Sequence, residues 1–501
     1  MSELGIYVHW PYCARICPYC DFNVYRARGA DNAPLLDAII ADLHAHARRF
    51  GRREAGSLFL GGGTPSLLRG DEVARLIDAA SQAFVLSRDC EITLEANPED
   101  ASLFAEQAAA GVNRFSIGAQ AFDDVALKAL GRRHNSASSL RAIDMAASTG
   151  QRVSLDLIYA REGQSIEAWR DELSAALTLP VEHLSLYQLT IEPETAFARR
   201  VSRGQLTPPD NELAASLYEA TQELCAQAGF EAYEISNHAR SQAARSRHNL
   251  VYWRGGDWVG VGPGAHGRMT HDGARIASEA QRRPSDYIDA MRENGIGWIS
   301  EATLTGEEAA DETLLMGLRT DEGADAARVA VLRGRPIKPE ALAWLVEEGF
   351  VTHDEGRVRL TPRGRLVANT VAAELVERRH FVLAHFDNGE AAFDGAIRAE
   401  AKEAVRAGEA FAVLQLITGE TVRPAIAREQ GGERDGVIAQ TRKPRRRGPV
   451  RALVAAFEAR ARGRIGRDVP AARKRRLALG VAGPDAGAHE AHLASIDAGL
   501  H

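Results

Sequence analysis

The residues of this chain best suited to chemistry are Cys13, Cys17 and Cys20, crowded into YCARICPYCDF (residues 12–22), while Cys90 and Cys225 stand alone. Once deprotonated, three thiols on one short loop can hold a metal centre. A structural zinc site takes four ligands, often as two Cys-x2-Cys pairs or with histidines at helical spacing, and no second pair exists here. Iron–sulfur clusters are normally held by four cysteines. Three would leave one iron of a [4Fe–4S] cluster open, which is useful only where a further ligand binds. Five scattered and clustered cysteines make no disulfide framework, and thiols kept reduced for a metal point to a cytoplasmic protein.

The other polar candidates fall at the ends of short apolar runs. These runs are LGIYVHW (4–10), SLFLGG (57–62), EITLEAN (91–97), NRFSIGAQ (113–120), VSLDLIY (153–159) and HLSLYQL (183–189). Between them lie segments such as PLLDAIIADLHAHARRF, whose apolar positions recur every three or four residues. Six strands alternating with helices predict βα units around a parallel sheet, closed wholly or partly as a barrel or left open. The runs end in the cysteines, GGGTPS, Glu95, Gln120, Asp156 and Gln188. In a βα barrel the loops after the strands build the site, so this distribution favours a barrel.

Beyond residue 235 the chain becomes loop-rich and glycine-rich, and from about 305 to 376 helices precede a strand pair. EALAWLVEEGF followed by VTHDEGRVRLTPRG predicts a helix and a hairpin, the order of a winged-helix-like α+β domain. Glu347, Glu348, Asp354 and Glu355 suit a phosphate backbone poorly, so a structural cap is favoured there over nucleic-acid binding. Residues 441–476 carry fourteen Lys/Arg against Glu458 and Asp468, a balance of +12 within a total of −7, leaving the rest at −19. Residues 420–501 have no apolar face and are expected to be mostly disordered, with a helix near 450–463. No run of about 18 apolar residues is present, and the N-terminus shows no secretory signal pattern. The expected organisation is a barrel over 1–235, a connecting region over 236–300, a winged-helix-like domain over 301–378 and an Ala/Arg/Gly-rich tail over 379–501.

Cys-x3-Cys-x2-Cys after the first strand of a βα barrel resembles the radical S-adenosylmethionine (SAM) family. That resemblance implies a partial (β/α)6 barrel, a [4Fe–4S] cluster on the three cysteines, and SAM chelating the open iron. The chain further resembles the oxygen-independent coproporphyrinogen III oxidase-like proteins in YVHWPYC, GGGTPS, EANPE, NRFSIGAQAFDD, LGRRH, SLDLIY, LSLYQLTIEPETAF, YEISN and GVGPGAHG. The resemblance implies SAM contacts from Tyr7, Tyr19, Gly62, Gly63, Thr64, Glu95, Gln120, Arg132 and Asp156. One departure stands out: relatives follow the fifth strand with YGLPGQ, and this chain has Tyr159-Ala160-Arg161-Glu162-Gly163-Gln164.

Two positions separate the branches of that group. Oxidases carry a fourth cysteine two places after the third, where this chain has Phe22. The haem-chaperone branch shares the CDF ending and a His-Asn-x-x-Tyr-Trp motif, here His248, Asn249, Tyr252 and Trp253. Imidazole is a common axial ligand of haem iron, and Tyr and Trp offer flat apolar faces to a macrocycle. The alternative for HNLVYW is a packed segment whose histidine only hydrogen-bonds. The resemblance thus implies a cytoplasmic haem chaperone that passes haem to respiratory haem proteins and cleaves SAM optionally, with a homodimer and a peripheral membrane contact compatible. Coproporphyrinogen III oxidation is the enzymatic alternative, and a winged-helix DNA-binding regulator is the third class.

Overall fold

The computed structural model describes residues 4–27, 29 and 31–376. The basic block and the helix expected near 450–463 lie outside the described residues.

All six apolar runs form strands: β1 (Leu4–Trp10), β2 (Glu54–Gly62), β3 (Val85–Ala96), β4 (Arg114–Gln120), β5 (Arg152–Tyr159) and β6 (His183–Gln188). Each pairs in parallel with the next in chain order. Helices make the crossovers, among them α1 (Ala33–Phe50), α2 (Gly70–Ala83), α3 (Ser136–Ser148) and α4 (Ile166–Ala176). Their apolar stripes, such as Leu35, Leu36, Ile39 and Leu43 of α1, cover the outer face of the sheet. Every residue of β1 is buried, as expected for a strand covered on both faces. After β6 come α5 (Asn211–Gln227), β7 (Glu231–Ala232), β8 (Asn237–Ala239) and α6 (Arg247–Trp253).

The region expected to be a connector is largely sheet. It supplies β9 (Asp257–Val261), β10 (His266–His271), β11 (Ala274–Ala280) and the first half of β12 (Trp298–Thr303). The sheet therefore has twelve strands in the order β12-β11-β10-β9-β1-β2-β3-β4-β5-β6-β8-β7. Strand β9 joins β1 in parallel, and β10 to β12 extend the edge antiparallel. The ends of this order do not pair with each other, so the barrel is partial. Glycines in and beside β9 and β10 hid those two strands from the sequence reading, yet they serve close packing. A Cβ on Gly260 would run into the His266 backbone, and the Gly262 amide donates to Tyr287 Oη at 3.0 Å.

A second core is formed by α7 (Gly306–Leu318), α8 (Ala326–Arg333), α9 (Pro339–Glu347) and the hairpin β13 (Val351–Asp354) and β14 (Arg357–Leu360). The hairpin turns at Glu355 (φ 51°) and Gly356 (φ 74°), left-handed at both centres as a two-residue hairpin turn requires. Trp253 at the end of α6 packs into this second core. A buried ion pair joins the two parts: Arg268 Nε of β10 donates to Glu312 Oε2 of α7 at 2.9 Å, with side-chain exposures of 1% and 4%. Truncating one partner strands the other's charge in a dry interior. Glu312→Ala is expected to lower unfolding free energy by about 3 kcal/mol, read by denaturant melts, and a loss below about 0.5 kcal/mol would show that the pair does not join the cores.

Candidate functional site

The cysteine loop leaves β1 at Trp10 and is held from three sides. Residues 12–13 pair in parallel with residues 25–26, and the Ala27 amide donates to the Cys13 carbonyl at 2.7 Å. From β2, the Gly63 amide reaches the Trp10 carbonyl at 2.7 Å and the Thr64 amide the Tyr12 carbonyl at 2.9 Å. This approach needs glycine, since a Cβ at Gly63 would lie 2.8 Å from Trp10 O and from the Pro11 carbonyl carbon. On the far side, Pro18 sits against Gly131, and its carbonyl accepts from the Phe197 amide at 2.9 Å.

Below the loop lies a cavity whose walls are the inward faces of neighbouring strands. Cys13, Cys17 and Cys20 line its mouth together with Phe22, and none of the three is in a disulfide. Tyr19, Gly62, Gly63, Thr64, Glu95, Gln120, Arg132 and Asp156 all line the same space. Arg132 is the most connected of these. Its guanidinium donates to Asn97 Oδ1 and the Gly118 carbonyl, both at 3.0 Å, and lies 3.6 Å from Cys17 Sγ. Burial pushes the Cys13 thiol up to about 11, partly opposed by a hydrogen bond with Thr64. Gln120 holds φ at 67°, a strained value for a side chain of this kind, at the tip of β4.

Two carboxyls face the cavity. Burial raises Glu95 well above the ordinary carboxylate range, although it accepts from the Gly62 amide at 2.9 Å. Burial lifts Asp156 to about 6, against the pull of Ser185 and of Ser116, whose hydroxyl donates at 3.1 Å. Near neutral pH, Asp156 is thus the group of the pair that more readily carries charge. The site can present two carboxyls of different proton affinity, Asp156 and Glu95, to a ligand carrying an amine and hydroxyls.

Tyr7 and three of the four HNLVYW residues lie elsewhere. Tyr7 is buried behind the wall, its hydroxyl 2.9 Å from His9 Nδ1. The segment expected to be loop is helix α6, packed on the N-terminal halves of β1 and β2, opposite the cysteine loop. His248 is 1% exposed, with Nδ1 2.9 Å from Ser57 Oγ and Nε2 2.6 Å from Tyr252 Oη. Its ring stacks on Phe59 at 5.0 Å. Burial, reinforced by Arg114, lowers His248 to about 3, so the imidazole is neutral. Tyr252 meets Trp258 edge-on, and Trp253 belongs to the second core. Asn249 alone of the motif lines the cavity, at its floor beside Arg114, His183 and Ser236. In this conformation the motif has the geometry of a packed segment.

Sequence reasoning passed over Asn23, Asn97 and Arg114. Asn23 Nδ2 donates to the carbonyls of Pro263 (2.9 Å) and Arg282 (2.8 Å), and a Cβ on Gly264 would strike it. That contact explains GVGPGAHG, which anchors the trailing end of the cysteine loop. In the departure after β5, Ala160 sits at φ 57°, where relatives place glycine, and Arg161 pairs with Glu172 away from the cavity wall.

The Radical SAM superfamily model matches residues 7–176 and the HemN C-terminal domain model residues 304–367. The haem chaperone HemW of Bacillus subtilis is 34% identical over 73% of this chain and 97% of its own length. This chain belongs to the HemW family of radical SAM proteins. A Bos taurus relative, the mitochondrial radical S-adenosyl methionine domain-containing protein 1, is 38% identical over 75% of this chain and 88% of its own length. Among solved structures, the Escherichia coli coproporphyrinogen III oxidase HemN superposes with a TM-score of 0.64 at 21% identity, covering 75% of this chain and 90% of its own. It shares the fold. The radical SAM domain of this HemW-family chain implies a [4Fe–4S] cluster and SAM. No helix among the described residues is long and apolar enough to cross a membrane.

The raised Asp156 gives a pH signature. Its folded value exceeds the ordinary 3.8, so ionising it costs folded-state stability as pH rises through about 6. Asp156→Asn is expected to raise unfolding free energy by about 1–2 kcal/mol at pH 7 after discounting for cavity water, and by nothing below about pH 4. Melts across that range check this, and a variant less stable than wild type at pH 7 would contradict it.

Proposed function

We propose that this chain is a cytoplasmic haem-binding chaperone. It holds a [4Fe–4S] cluster on Cys13, Cys17 and Cys20 with exchangeable SAM in the cavity beneath, and passes haem to an acceptor, respiratory haem proteins by family resemblance. The observation that carries the choice of branch is Phe22, which lines the cavity mouth beside three free thiols where an oxidase has a further cysteine. Relatives named haem chaperone HemW, 34–35% identical over nearly their whole length, support the same branch.

The residues present fit these groups. Three thiols free of disulfides share the mouth of one cavity, the donor set of a cluster that keeps one iron open. When bound, the cluster and SAM supply one-electron reductive chemistry at a sulfonium. The chain's own part is to bind and orient. Gly62, Gly63 and Thr64 let backbone approach the ligand closely, and Asp156 offers negative charge to an ammonium or ribose hydroxyl. Gln120 offers both amide ends, and Arg132 places a fixed positive charge beside Cys17.

Haem binding engages the α6 floor. For His248 to ligate iron, its ring leaves Ser57 and Tyr252, so haem binding is coupled to a local opening of α6. Ser57→Ala removes one of the restraining hydrogen bonds without touching the ring. A haem titration followed at the Soret band is expected to saturate for wild type, weaken at least about tenfold in His248→Ala, and hold or strengthen in Ser57→Ala. An unshifted Soret band in wild type would sink the chaperone reading, and full binding by His248→Ala would remove His248 as ligand. Reconstituted protein with SAM and reductant is expected to leave coproporphyrinogen III unconverted, and turnover would establish the oxidase.

A further inference from the structure

The cavity is deeper than the ring of residues assigned to SAM. Arg114, Ser116, Gly118 and Gln120 alternate inward along β4, so the wall from Gln120 at the mouth to Arg114 at the floor spans about 20 Å at the usual strand rise. Arg114 is 2% exposed. Its Nε has no hydrogen-bond partner, and among the described residues no carboxylate lies within ion-pair distance of its guanidinium. Its register neighbour on β3, Thr93, is 0% exposed and also keeps a hydroxyl without a partner. Glu91, a nearby buried carboxylate, is already taken by Arg152 at 3.0 Å.

A buried guanidinium is normally paired, since desolvating a charge without compensation is costly. Its planar fork matches a carboxylate. Asp156 feels its field without touching it. We propose that Arg114 forms an anion subsite at the cavity floor that receives a carboxylate of the bound ligand. A propionate of a tetrapyrrole carries such a group here, whereas the methionine carboxylate of SAM is held at the open iron, about 20 Å away at the mouth. The subsite therefore rests on the haem reading above. With Asn249 of α6 beside it, a propionate seated on Arg114 would place the macrocycle against the HNLVYW helix.

Cluster-reconstituted protein is titrated with haem and with haem dimethyl ester at the Soret band. Haem is expected to bind about tenfold or more tighter than its dimethyl ester. Arg114→Met is expected to abolish that preference and Arg114→Lys to keep part of it. Equal binding of haem and its ester, or a preference that survives in Arg114→Met, overturns the proposal and leaves the chaperone reading standing. Haem failing to bind wild type would end the chaperone reading and the subsite with it. Ligand-free Arg114→Met is expected to melt at or above the wild-type temperature, because an uncompensated charge is removed. A drop of more than about 5 °C, or failure to fold, would mark Arg114 as a structural residue and overturn the proposal as well.

Discussion

The two backbone hydrogen bonds from Gly63 and Thr64 to the Trp10 and Tyr12 carbonyls are the constraint on which the site depends. They tie the turn after β2 to the loop after β1, so the cysteines are seated by main chain and not by their own side chains. A methyl group at Gly63 would break the fit. Once the loop is pinned there, Pro18 against Gly131 and Asn23 against Gly264 fix its other flanks. Each clamp comes from a different strand or extension of the sheet. The position of three thiols is therefore a property of the whole barrel, and a loop of this sequence on another scaffold would not inherit it.

Inside the barrel the sheet collects groups that would be unfavourable elsewhere. Glu95, Asp156, Arg114 and Tyr187 sit within one interior, and burial raises both carboxyls. Such groups are tolerated because the cavity admits water and, on the account above, ligand. The contrast lies with His9 and His248, which are closed off within hydrogen-bonded networks, and with His183, which reaches the cavity floor with both ring nitrogens already engaged by Ser154 and Tyr233. Within this interior Glu95 and Asp156 already accept hydrogen bonds, whereas Arg114 Nε has no partner and marks where binding energy is still available.

Much of this was legible from residue order. Six β-branched or aromatic runs between helical segments specify the parallel sheet, and residues at strand ends became cavity lining because parallel βα units place those ends together. Strands β9 and β10 were illegible, since close packing on Gly260 and Gly262 resembles loop composition in one dimension. His248 misled for a different reason. Its partner Ser57 lies 191 residues away, and no local spacing reveals that a histidine is already engaged. Tyr7 followed the same pattern through alternation on β1, which turns it toward His248 and away from the cavity. Arg114 was invisible because an absent partner leaves no sequence signal.

The central claim is that the three thiols hold a cluster whose open corner is reached by SAM within this cavity. Electron paramagnetic resonance of the anaerobically reconstituted, reduced protein tests it most directly. The account predicts a [4Fe–4S]+ signal whose g-values shift when SAM is added, and loss of that signal in Cys17→Ala. A signal indifferent to SAM, or one that survives the loss of Cys17, would contradict it.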